Sequence, residues 1–434
     1  MGILTPLDAE SSGLQAGDEK SVSFRQNKSP FLKDGALMGF TEIHPAAAPL
    51  EEYERFSPGI VKKLRECKTA VNGLKILHIN STSNGGGVAE LLRSQVPLER
   101  ELGIDSRWYV MSAKPEFFRV TKKIHNLLQG AHHASLSNEE KRLYKDTGQA
   151  VGAGLEELFR TFPAEIVFVH DYQPLFAIDS IKAHTVPLLR IHVDLSRPHS
   201  ETLDFLRDKI MSYRGVIFSH TAFVPSWLEG RDAVRIILPA IDPFTEKNHP
   251  IENAEEMVSS IGIDPKKPCM TQISRFDHWK DPIGVIKAYV RARKKIPDLQ
   301  LVLAGSHASD DPEGETMYRE ARRFADGERG IIFYTEQNDT MINAIRTVSA
   351  VVIQKSIREG FGLTVTEAMW KEKAVVGGDT AGIRSQIIDG ESGFIVSTPA
   401  AAAAATVRLF MDPALRQRIG KNAHERVKAL FLMP

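Results

Sequence analysis

Ala350-Val-Val-Ile-Gln-Lys355, with Ile357-Arg-Glu-Gly-Phe-Gly-Leu-Thr-Val-Thr-Glu-Ala-Met369 close behind it, decides how this chain folds. A short, continuous apolar run without alternation reads as a strand buried on both faces, as in a parallel sheet covered by helices. A glycine turn and an apolar stretch of helical length follow, which makes one strand–turn–helix unit of a doubly wound α/β domain. Gly360 and Gly362, on either side of Phe361, let backbone N–H groups turn toward a phosphate where the helix begins at Leu363 and Thr364. Glu359 sits on the loop and Glu367 lies about a turn into the helix. One carboxylate suits sugar hydroxyls and the other a ribose. The plainer alternative is a capped helix with exposed glutamates.

The same alternation extends in both directions. Strand candidates in the first half are 74–80, 107–111, 165–170, 187–193, 215–220 and 234–240. Those in the second half are 269–275, 299–305, 330–335, 350–355, 374–378 and 393–397, with helical stretches such as Pro282 to Ile296 and Thr340 to Val348 between them. Two such series predict two Rossmann-like domains with parallel sheets. The break falls near Pro239, Asp242 and Pro243, giving domains over 51–242 and 243–434. Residues 1–50, rich in Ser, Gly, Asp, Lys and Pro, read as a loosely ordered extension with one strand near Leu37 to Glu42. Ligands of such sheets sit beyond the carboxyl ends of the strands, so two facing domains share one cleft.

Three further segments carry chemistry. Arg275-Phe-Asp-His-Trp-Lys280-Asp-Pro282 links a strand to a helix, and its Arg and Lys are spaced to reach one pyrophosphate, the Arg as a fork and the Lys as a point charge. The alternative is a surface ion pair with Asp277 or Asp281. Asn80-Ser-Thr-Ser-Asn-Gly-Gly-Gly87 follows the first strand of the alternation and opens a helix, so Gly86 and Gly87 can approach a ligand closely. Its spacing is neither the dinucleotide fingerprint nor a phosphate-binding loop ending in Lys-Ser/Thr, and a flexible turn explains it equally well. His170-Asp171 and His192-Val-Asp194 end consecutive strands and point polar groups into the cleft, unless each simply caps its neighbour. Arg190 and Arg197 flank the second tip.

Bulk properties narrow the class. The chain has 434 residues, and 55 basic side chains balance 55 acidic ones, so nothing calls for nucleic acid or an anionic membrane as partner. Cys67 and Cys269 lack metal-ligand spacing and read as two thiols in a reducing compartment. No apolar run is long enough for a membrane span and no signal pattern opens the chain, which predicts a cytoplasmic location.

Arg275, Lys280 and the Glu359/Glu367 pair, with seven residues between the two glutamates in the glycogen- and sucrose-synthase-like manner, resemble the donor site of retaining GT-B glycosyltransferases. The stretches 78–88, 117–130, 170–174, 192–196, 274–280 and 356–370 narrow the likeness to trehalose glycosyltransferring synthases, with fungal-type trehalose phosphorylases close by. The resemblance implies reversible transfer of glucose from UDP- or ADP-glucose to glucose. It casts Arg275, Lys280, Glu359 and His170 as catalytic. Glu367, Gly86, Gly87, Gly360, Phe361, Gly362, Leu363 and Thr364 would bind the donor, and Asn80, Asp171, His192 and Asp194 the acceptor. It implies no required cofactor or metal, magnesium as at most a stimulating ion, and a homodimer as a candidate assembly. Phosphorolysis of trehalose and a nucleotide-sugar binding protein with weakened catalysis stand as alternatives. Two departures stand out. Tyr172 replaces a common proline after His-Asp, and the chain ends at Pro434, which predicts a missing terminal crossover helix and weaker domain closure.

Overall fold

The computed structural model describes residues 39–46, 49–305 and 313–433. Most of the N-terminal extension, and Pro434, lie outside the described residues. Thirteen strands build two sheets. The first contains β1 (Phe40–Ile43), β2 (Lys75–Asn80), β3 (Asp105–Met111), β4 (Ile166–His170), β5 (Val186–Ile191), β6 (Gly215–Phe218) and β7 (Val234–Ile236). The second contains β8 (Cys269–Ile273), β9 (Gln300–Ala304), β10 (Ile331–Tyr334), β11 (Val351–Gln354), β12 (Ala374–Gly378) and β13 (Phe394–Val396). The strand orders are β1-β3-β2-β4-β5-β6-β7 and β10-β9-β8-β11-β12-β13. All pairs are parallel except β1 with β3.

The second sheet has the Rossmann order, and its crossovers reverse direction between β8 and β11, which opens a crevice at the carboxyl ends of those two strands. The first sheet reverses between β2 and β4 in the same way. Strands β8, β9, β11 and β12 are buried along their whole lengths, as largely apolar strands covered on both faces are.

Two elements differ from the sequence reading. The first strand covers Phe40–Ile43 rather than Leu37 to Glu42, of which Leu37 and Met38 lie outside the described residues; it pairs with β3, and the Tyr109 hydroxyl donates to Glu42 at 2.8 Å. The run 234–240 yields only the short β7, with Ile236, Ile237 and Leu238 substantially exposed, because it is the last strand of its sheet and has one neighbour.

The last described residues return to the first half. Leu432 bridges to Ile241, Met433 N–H donates to the Ile241 carbonyl at 2.9 Å, and Met433 packs on the cluster of Leu50, Tyr53, Val61 and Leu98. Phe431 is fully buried, edge-on to Phe361 of the glycine turn with ring centroids 5.6 Å apart. Phe431→Ala is therefore expected to cost about 3 kcal/mol or more of stability, the usual result of deleting a buried aromatic ring, and to loosen the turn it supports. Chemical denaturation of the two proteins checks it; a loss under about 1 kcal/mol would show that Phe431 is not a core residue.

Candidate active site

Both switch-point crevices open onto one cavity of about 630 Å³ between the two halves, within the size range of substrate sites. Its floor on the second half is the pair of loops after β8 and β11. Lys280 Nζ donates to both carboxylate oxygens of Glu359 at 2.7 Å, and Ser356 Oγ donates to the same carboxylate at 2.9 Å. The loops are tied to each other by the Ile357 N–H on the Trp279 carbonyl at 2.8 Å and by the Lys355–Asp281 ion pair. Lys280 is thus paired across the switch point and not with Asp277 or Asp281, so the surface-pair alternative does not describe it.

The glycine turn closes the far wall. Gly362 has a φ of +89°, which favours glycine, and the helix Leu363–Trp370 starts directly after it. The Thr364 hydroxyl is buried and has no hydrogen-bond partner among the described residues. It lines the cavity beside these N-terminal amides, where an anion is favoured. Facing this helix is another, Gly87–Glu101, whose first residue approaches so closely that a Cβ on Gly87 would lie 3.6 Å from the Leu363 side chain. Two helix N-termini therefore converge on one cavity.

Glu367 is held by the fully buried Arg346, whose other amino group donates to the Lys247 carbonyl at 3.1 Å. Lys247 in turn donates to Glu90 at 2.7 Å. Burial alone would lower the Lys247 ammonium, but Glu90, Glu367 and Asp339 outweigh it and hold the group charged.

The first half contributes His170, Asp171 and His192 at the ends of β4 and β5. Asp171 has a positive φ of 59° and its carboxylate accepts the His192 N–H at 2.7 Å. Asn80 lines the cavity, yet its amide is engaged at both ends, donating to the Thr82 carbonyl at 2.6 Å and accepting from Trp108 Nε1 at 2.8 Å. Its visible work is to hold the glycine loop. Asp194 is the one predicted site residue away from the cavity wall: it is buried, and it accepts the Ser196 N–H at 2.8 Å, the local bond that a short aspartate side chain readily makes. Arg275, Lys280, Glu359, Glu367, Gly86, Gly87 and Gly360 to Thr364 all line the cavity with them.

Sequence reasoning missed two groups. Lys122, His125 and Gln129 share one face of the helix Pro115–Leu128 and its cap, and all three line the cavity. Polar residues at i, i+3 and i+7 in an otherwise amphipathic helix were the available signal. Lys122 donates to Asp277 at 2.8 Å with both side chains buried. Burial would raise the Asp277 carboxyl, but Lys122, with Arg275 and His125 behind it, holds it well below the usual range. Burial, then Lys122, lowers the His125 imidazole to about 3, so that ring is neutral at physiological pH. The second group, Lys247 and Arg346, gave no signal, since a lone cation in a polar stretch or an amphipathic helix looks like surface.

Two Rossmann-type sheets facing a polar cavity with these strand-end loops define the GT-B class of glycosyltransferases. Solved structures share the fold: sucrose-phosphate synthase from Thermosynechococcus elongatus superposes with a TM-score of 0.65 at 18% identity over 83% of this chain and 95% of that one. Anabaena HepE in complex with UDP and glucose does so with 0.61 at 17% over 83% and 96%. The chain belongs to the trehalose synthase family. It is 40% identical to the trehalose synthase of Pyrococcus horikoshii over 90% of this chain and 95% of that protein, and 38% identical to that of Rubrobacter xylanophilus with the same coverage. Trehalose phosphorylase of Pleurotus pulmonarius is more distant, at 27% over 93% of this chain and 62% of its own length. Residues 78–225 match the family described as trehalose synthase, N-terminal domain, and residues 253–426 match glycosyl transferases group 1. Among the described residues no helix is long and apolar enough to cross a membrane.

Two outcomes follow from this geometry. A methyl on Gly360 would stand 1.8 Å from the His192 carbonyl oxygen, so Gly360→Ala must push the halves apart; transfer activity should fall about a hundredfold and the radius of gyration in X-ray scattering should rise. Unchanged scattering and activity would mean that this approach is dispensable. The second concerns acid. Asp277 has a depressed folded pKa, so its contribution to stability is complete above the unfolded value of about 4 and is lost as pH falls through the folded value. The melting-temperature gap between wild type and Asp277→Asn should therefore shrink from pH of about 5 to about 2; a constant gap would remove the ion pair from that role.

Proposed function

We propose that the protein transfers glucose reversibly from a nucleoside diphosphate glucose to free glucose, with retention, forming α,α-trehalose. The observation that carries this reading is that Arg275, Lys280, Glu359, Glu367 and the Gly360–Thr364 turn meet on one cavity with His170 and His192 opposite. In this reading Arg275, Lys280 and the two helix N-termini neutralise the departing diphosphate. The bond from glucose C1 to the donor oxygen breaks while a bond to the acceptor oxygen forms on the same face. The acceptor proton goes to the leaving phosphate oxygen, so the protein supplies position and charge rather than a covalent nucleophile. Glu359 orients the transferred glucose, and Glu367, steadied by Arg346, takes the ribose hydroxyls. Magnesium enters this proposal only as a counter-ion carried by the donor phosphates. The family relatives and the UDP- and glucose-bound neighbour support the substrate class.

A cytoplasmic location fits the two unpaired cysteines, one exposed and one buried. A homodimer is part of the same proposal. Ile236, which ends the edge strand β7, and Ile237 and Leu238, which follow it, are 40%, 45% and 38% exposed and form an apolar row that pairing would cover. A monomeric mass in light scattering would remove that part.

Incubation with UDP- or ADP-glucose and glucose is expected to yield trehalose. Lys280→Ala should lower kcat about a hundredfold or more with a smaller change in donor KM, because its charge matters most as the diphosphate leaves. Glu367→Gln should instead raise donor KM about tenfold, a loss of about 1.4 kcal/mol. No disaccharide from any donor would defeat the reading. Release of glucose 1-phosphate from trehalose and inorganic phosphate, without nucleotide, would replace it with phosphorolysis.

A further inference from the structure

The Gly360–Thr364 turn is held from behind by side chains that lie off the cavity wall. Gln386 follows the short helix Ala381–Arg384 and is fully buried. Its amide nitrogen donates to the Phe361 carbonyl at 2.5 Å, and its amide oxygen accepts from the fully buried Thr366 hydroxyl at 2.6 Å. Phe361 is the last residue before the left-handed Gly362, and Thr366 ends the first turn of the helix Leu363–Trp370. We propose that Gln386 and Thr366 are positioning residues of the donor site: the Gln386 side chain staples the glycine turn to the first turn of the helix that follows it, and so aims the amides of Leu363 and Thr364 at the diphosphate.

The orientation of the amide is fixed by its surroundings. One end faces three carbonyl oxygens, of Phe361 at 2.5 Å, Gly382 at 3.3 Å and Gly362 at 3.4 Å, so that end is the NH2 group. The other end is then the oxygen, to which the Thr366 hydroxyl donates. Neither side chain titrates, so no protonation state enters the count. The segment that carries Gln386 is itself pinned. The Arg426 guanidinium donates to the Gln386 carbonyl at 2.6 Å and to the Ser385 carbonyl at 2.9 Å. Gly382 lets the short helix approach the donor loop, where a Cβ would stand 2.6 Å from the Glu359 carbonyl oxygen.

The first amides of a helix have no acceptor within it, and their direction follows from the backbone just before them. Here that backbone is Phe361–Gly362, where glycine at a φ of +89° resists rotation least. Its carbonyls are therefore the points at which the turn can be fixed. Ser219 takes the Gly360 carbonyl from the first half at 2.9 Å, and Gln386 takes the Phe361 carbonyl from within the second. Removing the amide would leave that buried carbonyl and the Thr366 hydroxyl without this partner, which is costly. A peptide plane that rotates to find a new donor moves Gly362 and the helix start with it.

The diphosphate of a sugar donor rests on the reading given above, whereas an anion site held by Gln386 does not, so the two can fail separately. Inorganic pyrophosphate, titrated by calorimetry, probes that site without turnover. Gln386→Met keeps the length of the side chain and removes both hydrogen bonds. Its pyrophosphate affinity and its kcat should each fall about tenfold, with acceptor KM unchanged, at a temperature where circular dichroism shows the fold intact. Thr366→Val keeps its shape and removes one arm of the staple, and should lower both quantities about threefold. A role confined to folding would lower the melting temperature and leave the pyrophosphate affinity of the folded Gln386→Met protein at the wild-type value, which would overturn the proposal. An unchanged affinity in Thr366→Val would overturn it equally, and that reading stands where Gln386→Met fails to fold. Wild-type protein that binds no pyrophosphate would overturn it as well. If binding responds as expected but no sugar is transferred from any donor, the proposed reaction fails and the role of Gln386 does not.

Discussion

Lys280 and Glu359 are 79 positions apart in sequence and 2.7 Å apart in space, and the site is organised around that contact. It exists because the second sheet runs outward in both directions from the β8–β11 pair. At such a reversal the following helices leave to opposite faces of the sheet, so the two loops are not covered and meet across the gap. A parallel sheet with its strands in sequential order would bury each loop under its own crossover helix. The lysine would then have only its neighbours Asp277 and Asp281 within reach.

The two halves meet with backbone as well as side chains. The Ser219 hydroxyl donates to the Gly360 carbonyl at 2.9 Å, and Arg358 Nε donates to the Gln129 carbonyl at 3.0 Å. Trp279 Nε1 donates to Asn126 at 2.9 Å beside the buried Lys122–Asp277 pair. These contacts cluster around the cavity rim, and charges within it are shielded from bulk water. A cation in such a place is costly unless it is paired, which is why Arg346, Lys247 and Lys280 each carry an acidic partner in the structure.

The first half brings both charge and fixed hydrogen bonds: Lys122 lines the cavity, and ring nitrogens of His170 and His192 lie 3.0 Å apart on its wall. Its glycine loop is held by the Asn80 amide. Asp171 and Asp194, expected to bind the acceptor, each spend one carboxylate oxygen on a backbone N–H, of His192 and of Ser196. Short acidic side chains at strand ends commonly do this, because the amides that follow a strand need acceptors before the next helix begins.

Much of this was written in the chain itself. Unbroken apolar runs such as 350–353 announced parallel sheets, since only a strand covered on both faces has no polar side to show. The Gly-Phe-Gly turn and the Arg275–Lys280 loop were legible because close backbone approach and anion binding restrict residue type locally. Which runs lie side by side was not legible, nor which helix faces the opposite half. Lys122 and Arg346 gained their roles only there. Those roles come from partners in distant segments, and a side chain's spacing along its own helix carries no record of the group that another strand brings to it.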